Sequence, residues 1–139
     1  IADPGAIIVE LAHKKGIPVK PLVGPSSILL ALIGSGMNGQ NFAFNGYLPI
    51  DKEERKKTIK ALEKKSSELQ QTQIFMETPY RNDAIISDLI KILHPSTRLC
   101  IACDLTLKSE TIKTHTIEEW KKSSISIQKR PAIFLIQKD

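Results

Sequence analysis

The chain has 139 residues, 41% of them apolar and 25% charged, which suits one compact domain or a little more. A net charge of +5 permits an anionic partner without requiring one. No segment is long and apolar enough to cross a membrane, no signal peptide is visible, and two cysteines cannot build a disulfide framework, so a reducing, cytoplasmic setting is expected.

The opening Ile1-Ala2-Asp3-Pro4-Gly5 reads like mid-chain sequence, as if the chain began inside a larger protein. Ala6 to Lys15 carries Ile7, Ile8, Leu11 and Ala12 at helical spacing and ends in Lys14-Lys15-Gly16, basic residues followed by a glycine stop. Ile17 to Val23 reads as a short strand whose prolines, Pro18 and Pro21, forbid a helix and disfavour the middle of a sheet. Gly24-Pro25-Ser26-Ser27 then turns into a buried helix from Ile28 to Ile33, opened by a serine cap and ended by Gly34-Ser35-Gly36. Asn38-Gly39-Gln40-Asn41 predicts a linker.

Phe42 to Leu48 is a strand stopped by Pro49. Asp51 caps the next helix, with Glu54 spaced for a capping box and Ile59, Leu62 and Leu69 as a narrow buried stripe. Much of the basic excess lies between Lys52 and Lys65, where a solvated helix face accounts for it. Thr72 to Met76 is a strand running into Glu77-Thr78-Pro79-Tyr80-Arg81. Asn82 or Asp83 caps a helix with Ile85, Ile86, Leu89, Ile90 and Leu93 on one face, closed by His94-Pro95. Leu99 to Cys103 reads as a strand buried on both faces, and Thr111 to Thr116 as a half-buried one. Thr116 and Glu119 fit a capping box for a short helix anchored by Trp120, and Ala132 to Ile136 closes the chain as a strand.

Strands alternating with helices predict an α/β fold. Residues 40–139 form a mixed-sheet α/β domain, and residues 1–39 are too few for a core of their own and read as the tail of another α/β domain. Cys100 and Cys103 have metal or redox spacing, but no second pair completes a zinc site, so small core residues are the better reading. His13, His94 and His115 have no partner at a catalytic spacing and read as surface groups.

Four loops can carry chemistry. Val23 to Ser27 presents backbone N–H groups and hydroxyls at a strand-to-helix turn, where an anion or a nucleotide binds, or where a simple helix cap suffices. Glu77 to Arg81 follows a strand, at the edge where ligands of α/β sheets bind, or else is a surface ion pair. Asp104 to Glu110 also follows a strand, and Lys129-Arg130-Pro131-Ala132 precedes one. If that last strand runs antiparallel, all four loops meet at one edge.

In order and spacing these segments resemble a known pattern. Asp3-Pro4-Gly5, Gly16-Ile17-Pro18-Val19, Pro21-Leu22-Val23-Gly24-Pro25-Ser26-Ser27 and Ser35-Gly36-Met37 are similar to the end of the first domain of the tetrapyrrole-methylase superfamily, in the version typical of ribosomal RNA 2′-O-ribose methyltransferases. Phe44-Asn45-Gly46-Tyr47-Leu48-Pro49, Glu77-Thr78-Pro79-Tyr80-Arg81 and Asp104-Leu105-Thr106 resemble second-domain motifs of the same enzymes. The resemblance implies that most of the first domain precedes this chain, and it leads us to expect no turnover by this stretch alone. It implies S-adenosylmethionine between two domains, with Gly24, Pro25, Ser26 and Ser27 against its ribose or methionine part. Met76, Glu77, Asp104, Leu105, Pro131 and Ala132 would line the adenine side. Glu77, Arg81 and Lys108 would be the catalytic and acceptor-holding groups, Arg81 and Lys108 through RNA phosphate. It further implies ribosomal RNA as partner, a homodimer, and no metal or membrane. A corrin, porphyrin or protein-side-chain acceptor, or a non-catalytic RNA-binding or dimerisation domain, are the alternatives. The departures are Ala2 for a serine, Tyr80 for a histidine, Lys108 displaced by Leu107, and Arg130-Pro131 for Gly-Glu. They concern the acceptor rather than the fold or the cofactor.

Overall fold

A computed structural model describes residues 3–139; Ile1 and Ala2, and with them the serine-to-alanine departure, lie outside the described residues. The elements are α1 (Ala6–Lys14), α2 (Ser27–Ser35), β1 (Phe42–Tyr47), α3 (Lys52–Leu69), β2 (Thr72–Met76), a 3-10 turn (Pro79–Arg81), α4 (Asn82–Ile92), β3 (Arg98–Cys103), β4 (Thr111–Thr116), α5 (Ile117–Trp120) and β5 (Ala132–Gln137).

The strands form one mixed sheet in the order β1-β2-β5-β3-β4. β1 and β2 are parallel, while β5 runs antiparallel to both β2 and β3, and β4 antiparallel to β3. Central β5 is buried along its whole length, because side chains alternate between two covered faces. Ile101, Phe75, Phe134 and Ile136 point to the side of α3, α4 and α5, where Phe75 and Phe134 stack with ring centres 5.9 Å apart. Ile74, Cys100, Ala102, Ile133 and Leu135 point to the other side, under Ile28, Ala31 and Leu32 of α2. Gly34 allows that approach: a Cβ there would stand 2.6 Å from Ile112 Cδ1 of β4. Gly36, at φ +69°, ends α2 in the left-handed conformation.

Cys100 and Cys103 are three apart on β3, so their thiols lie on opposite sides of the sheet, and burial pushes both thiols up. Both are core residues. The helix ends follow local chemistry: Asp51 accepts from the Glu54 amide, and Thr116 and Glu119 form a reciprocal capping box. Trp120 is buried, its indole N–H donating to the Leu99 carbonyl at 2.8 Å.

Several expectations are corrected. The segment 17–23 forms no strand. It is exposed throughout, because extended backbone needs a ladder partner and none lies beside it among the described residues. Ser26 occupies the cap position of α2, but its side chain makes no capping bond. The predicted linker is tied down: Asn38 N–H donates to Gln137 Oε1, its side-chain amide to the Gln70 carbonyl, and the Asn41 amide to the Leu69 carbonyl. Leu69 is exposed, and buried Arg55 and Ser66 join Ile59 and Leu62 on the inner stripe of α3 instead. Arg55 is admitted to the core because Asp88 neutralises it at 2.7 Å while the Pro49 and Ile50 carbonyls take its remaining donors. Neither Asn82 nor Asp83 caps α4, since the 3-10 turn feeds directly into the helix. The two residues clasp the loop before β5 instead: the Asn82 amide donates to the Ile127 and Arg130 carbonyls, and Asp83 accepts from the Ile127 N–H and the Ser126 hydroxyl.

Candidate functional site

Parallel β1 and β2 bring Tyr47 opposite Met76. Antiparallel β5 then brings its first residues to the same edge, with Ile133 opposite Met76 and Ala132 opposite Cys103. The loops after β1, β2 and β3 and the loop before β5 therefore open on one edge of the sheet. The antiparallel last strand thus gathers three of the four candidate loops, while among the described residues no strand precedes the fourth, Val23 to Ser27, of which only Ser27 reaches this edge's cavity. A cavity of about 400 Å³ opens there, its lining mostly apolar.

Its walls hold Ser27, Met76, Glu77, Asp104, Leu105, Pro131 and Ala132, all singled out from the sequence. Tyr47, Pro79, Ala102, Leu107 and Ile133 complete them and were missed. Ala102 and Ile133 read as plain core strand residues, whereas Tyr47 stood in the Phe44–Pro49 motif and Pro79 and Leu107 in the candidate loops, without a role of their own. Gly24, Pro25 and Ser26 do not line the cavity; Gly24 and Pro25 are exposed on the approach to α2. Arg81 and Lys108 stand outside the walls as well, Lys108 exposed and next to Leu107.

The two carboxylates of the walls differ in state. Glu77 has a side chain only 2% exposed. Its Oε1 accepts from the Thr78 N–H at 2.8 Å. Its Oε2 lies 3.2 Å from Arg81 Nη2 but at an angle that makes no hydrogen bond, so this buried oxygen has an open valence. The angle decides here: the ion pair is real in charge, yet leaves the lone pair free. Asp104 is paired through one oxygen. Its Oδ2 accepts from Arg130 Nε and from the Ser109 hydroxyl, each at 2.8 Å, while Arg130 Nη2 donates to the Ser109 carbonyl. These bonds hold the Asp104 carboxyl below its usual range and the Arg130 guanidinium above its own, the Arg130 hydrogen bond being the first cause for Asp104.

Arg130 is the organising residue that sequence reading undervalued. In the sequence it stands only in Lys129-Arg130-Pro131-Ala132 and as a departure from the resembled pattern, whereas it locks the β3–β4 loop to the loop before β5. A backbone bond from Asp104 N–H to the Pro131 carbonyl adds to the lock. Asp104, Thr106 and Lys129 all adopt positive φ, at 52°, 71° and 64°. Each is a left-handed conformation that a non-glycine residue enters at a cost, and such costs gather where a backbone is shaped for a task. Lys129 is held there by its N–H donating to the Pro79 carbonyl at 2.8 Å, which joins this loop to the 3-10 turn. No cluster of side chains suited to a metal ion occurs among the described residues.

No protein-family model matches the chain. It is 40% identical over 119 residues to ribosomal RNA small subunit methyltransferase I of Bacillus subtilis, covering 86% of this chain and 39% of that protein. It is 32% identical over 139 residues to the protein of the same name from Buchnera aphidicola, covering 98% of this chain and 46% of that one. The chain thus spans less than half the length of these curated relatives. Among solved structures it resembles a putative diphthine synthase from Entamoeba histolytica, with a TM-score of 0.61 and 11% identity over 98% of this chain and 60% of that one. It also resembles the methyltransferase CobJ, with a TM-score of 0.59 and 15% identity over 96% of this chain and 58% of that one. Cobalt precorrin-4 methyltransferase follows at a TM-score of 0.57. The chain is thus similar in sequence to part of the ribosomal RNA small subunit methyltransferase I proteins, and it shares its fold with part of these corrin methyltransferase and diphthine synthase structures.

Proposed function

We propose that this chain forms one wall of the active site of an S-adenosylmethionine-dependent methyltransferase that methylates a ribose hydroxyl of small-subunit ribosomal RNA. The observation that carries the reading is the cavity at the sheet edge. Seven of the ten residues expected to bind cofactor, from four separate segments, stand around it together, in a chain whose relatives are named for ribosomal RNA methylation. The sequence relatives favour RNA as the acceptor, since the corrin enzymes share the fold at far lower identity.

The walls fit the cofactor. A nucleoside needs an apolar slot with a few polar atoms at its border, and Met76, Ala102, Leu105, Ala132 and Ile133 supply the slot. The open valence of Glu77 Oε2 at the border of the slot is left for the acceptor hydroxyl. When bound, S-adenosylmethionine supplies a methyl group on a sulfonium, which is already a good leaving group. The protein then contributes orientation and exclusion of water more than acid–base power.

In this reading Asp104, fixed by Arg130 and Ser109, holds the β3–β4 loop so that Leu105 and Leu107 close the slot. Glu77 Oε2 accepts the hydrogen bond of the acceptor hydroxyl and takes its proton as the oxygen is methylated. Arg81 stands 3.2 Å from that oxygen and orients the carboxylate. Lys108, on the exposed rim, faces RNA phosphate. A homodimer in the cytoplasm, with no part of the site formed by a metal or a membrane, completes the proposal.

Calorimetry with S-adenosylmethionine on the full-length protein, beside methylation of undermethylated small ribosomal subunits, tests it. Ala132→Phe is expected to fill the slot and abolish binding. Glu77→Gln is expected to retain binding within a few fold and to lower kcat by about 10²-fold or more. Unchanged affinity in Ala132→Phe would remove the cofactor from this cavity.

A further inference from the structure

The basic run of α3 has an arrangement that a merely solvated face does not need. Lys52, Lys56, Lys60 and Lys64 follow one another at i, i+4, all exposed. Neighbours in such a row stand about 5–6 Å apart on one flank of the helix. The row spans about 18 Å. The core stripe of Arg55, Ile59, Leu62 and Ser66 lies on another side of the helix.

The row is only partly compensated. Glu63, in the middle of the helix, is turned away to accept from the His94 N–H and the Thr97 hydroxyl. Among the described residues only Lys64 of the row has an ion pair, a loose one with Glu68 at 3.6 Å. Like charges at i, i+4 weaken a helix, and Lys52 in the first turn opposes the helix dipole. Lys138, one residue past β5, extends the row: with Lys60 and Lys64 it borders a polar groove of about 340 Å³, in which three lysines outnumber Glu63 and Glu68.

Its placement is directional. α3 begins just after β1, at the edge of the sheet where Tyr47 lines the cavity. Lys138 stands at the opposite end of β5, whose first residue Ala132 lines that same cavity. The row therefore leads from the cavity edge to the far edge of the domain, along the face of the sheet opposite α2. A membrane surface is a poor match, because the apolar stripe of α3 is spent on the core and none is left to enter lipid.

We propose that Lys52, Lys56, Lys60, Lys64 and Lys138 form a docking rail for the sugar-phosphate backbone of RNA, gripping the segment that flanks the nucleotide presented to the cavity. The inference rests on the RNA part of the function proposed above. Neutralising the row is tested in the full-length protein as Lys56→Gln/Lys60→Gln/Lys64→Gln. A control of equal charge, Lys113→Gln/Lys121→Gln/Lys122→Gln, lies by β4 and α5, at the other end of the sheet order. Binding to a small-subunit ribosomal RNA fragment is followed against salt concentration.

The row variant is expected to lose at least about tenfold in affinity at low salt and to flatten the log–log salt slope by about 2–3. The control is expected to keep the slope within about half a unit of the parent's. Circular dichroism and S-adenosylmethionine binding should be unchanged in both. An unchanged slope in the row variant, or an equal loss in both variants, overturns the rail. Cofactor binding without any RNA binding overturns the rail and leaves the methyltransferase reading standing. Row-dependent RNA binding without methyl transfer sinks the ribose-methylation reading and leaves the rail.

Discussion

α1 and α2 are each nine residues long and both carry aliphatic side chains, yet they end in opposite situations. α2 buries Ile28, Ala31, Leu32 and Ser35 against β3, β4 and β5. α1 buries nothing: Ile7 and Ile8 are 69% and 68% exposed, and Val9 and Leu11 are open as well. The local signals of α1 are the better formed of the two, with an apolar stripe and basic residues in its last turn. Helical spacing and end signals thus decide whether a segment coils. What covers its apolar face is decided by the sheet behind it, and the sheet of this chain has one open face for one helix of this kind.

The comparison breaks most visibly at Leu32, 6% exposed beneath α2. Leu32→Ala removes a side chain held between helix and sheet and should cost about 2–4 kcal/mol in chemical denaturation. Because α2 starts at Ser27 on the cavity wall, the same change should also weaken S-adenosylmethionine binding in the full-length protein. A loss under about 1 kcal/mol would mean that α2 rests on the sheet without being fixed to it.

The same contrast explains what was legible in the sequence. β3 and β5 were readable because unbroken apolar runs have one explanation in a mixed sheet, burial on both faces. The cavity loops were readable because each follows or precedes such a strand, and the antiparallel direction of β5 gathers them. Segment 17–23 misled because prolines and aliphatics mimic an edge strand, while a strand exists only with a neighbour. Leu69 and Arg55 exchanged their expected places. The helical stripe drifts around α3 over its length, and a cation at the right angle can be buried once Asp88 meets it. Arg130 was underrated for the same kind of reason, since its value lies in Asp104 and Ser109, far away in sequence.

That cluster offers a smaller, pH-dependent effect. The carboxyl of Asp104 is held below its ordinary range by Arg130 and Ser109. A carboxyl whose folded pKa is depressed stabilises the fold above its unfolded value, near 4, and the contribution is lost as pH falls through the folded value. Asp104→Asn keeps a residue that tolerates the positive φ of this position and removes the charge. The variant should be less stable than the parent at pH 7, and the gap should close below about pH 4. A gap that persists in acid would mean that the substitution disturbs the loop through shape and not through the ion pair.

The smallest expected effect is at α1, and it is the sharper half of the comparison. Leu11 sits on the apolar stripe of α1 as Leu32 sits on α2, but it is 47% exposed and faces no buried neighbour. Leu11→Ala removes little area that folding had taken from water, and alanine slightly favours the helix, so stability should change by less than about 0.5 kcal/mol. Hydrogen exchange should find the amides of α1 opening far more readily than those of α2, since a nine-residue helix without tertiary cover is marginal in water. A cost for Leu11→Ala approaching that of Leu32→Ala would show that the stripe of α1 is packed in solution. The difference between the two helices would then lie in which surface covers each, and no longer in whether it is covered.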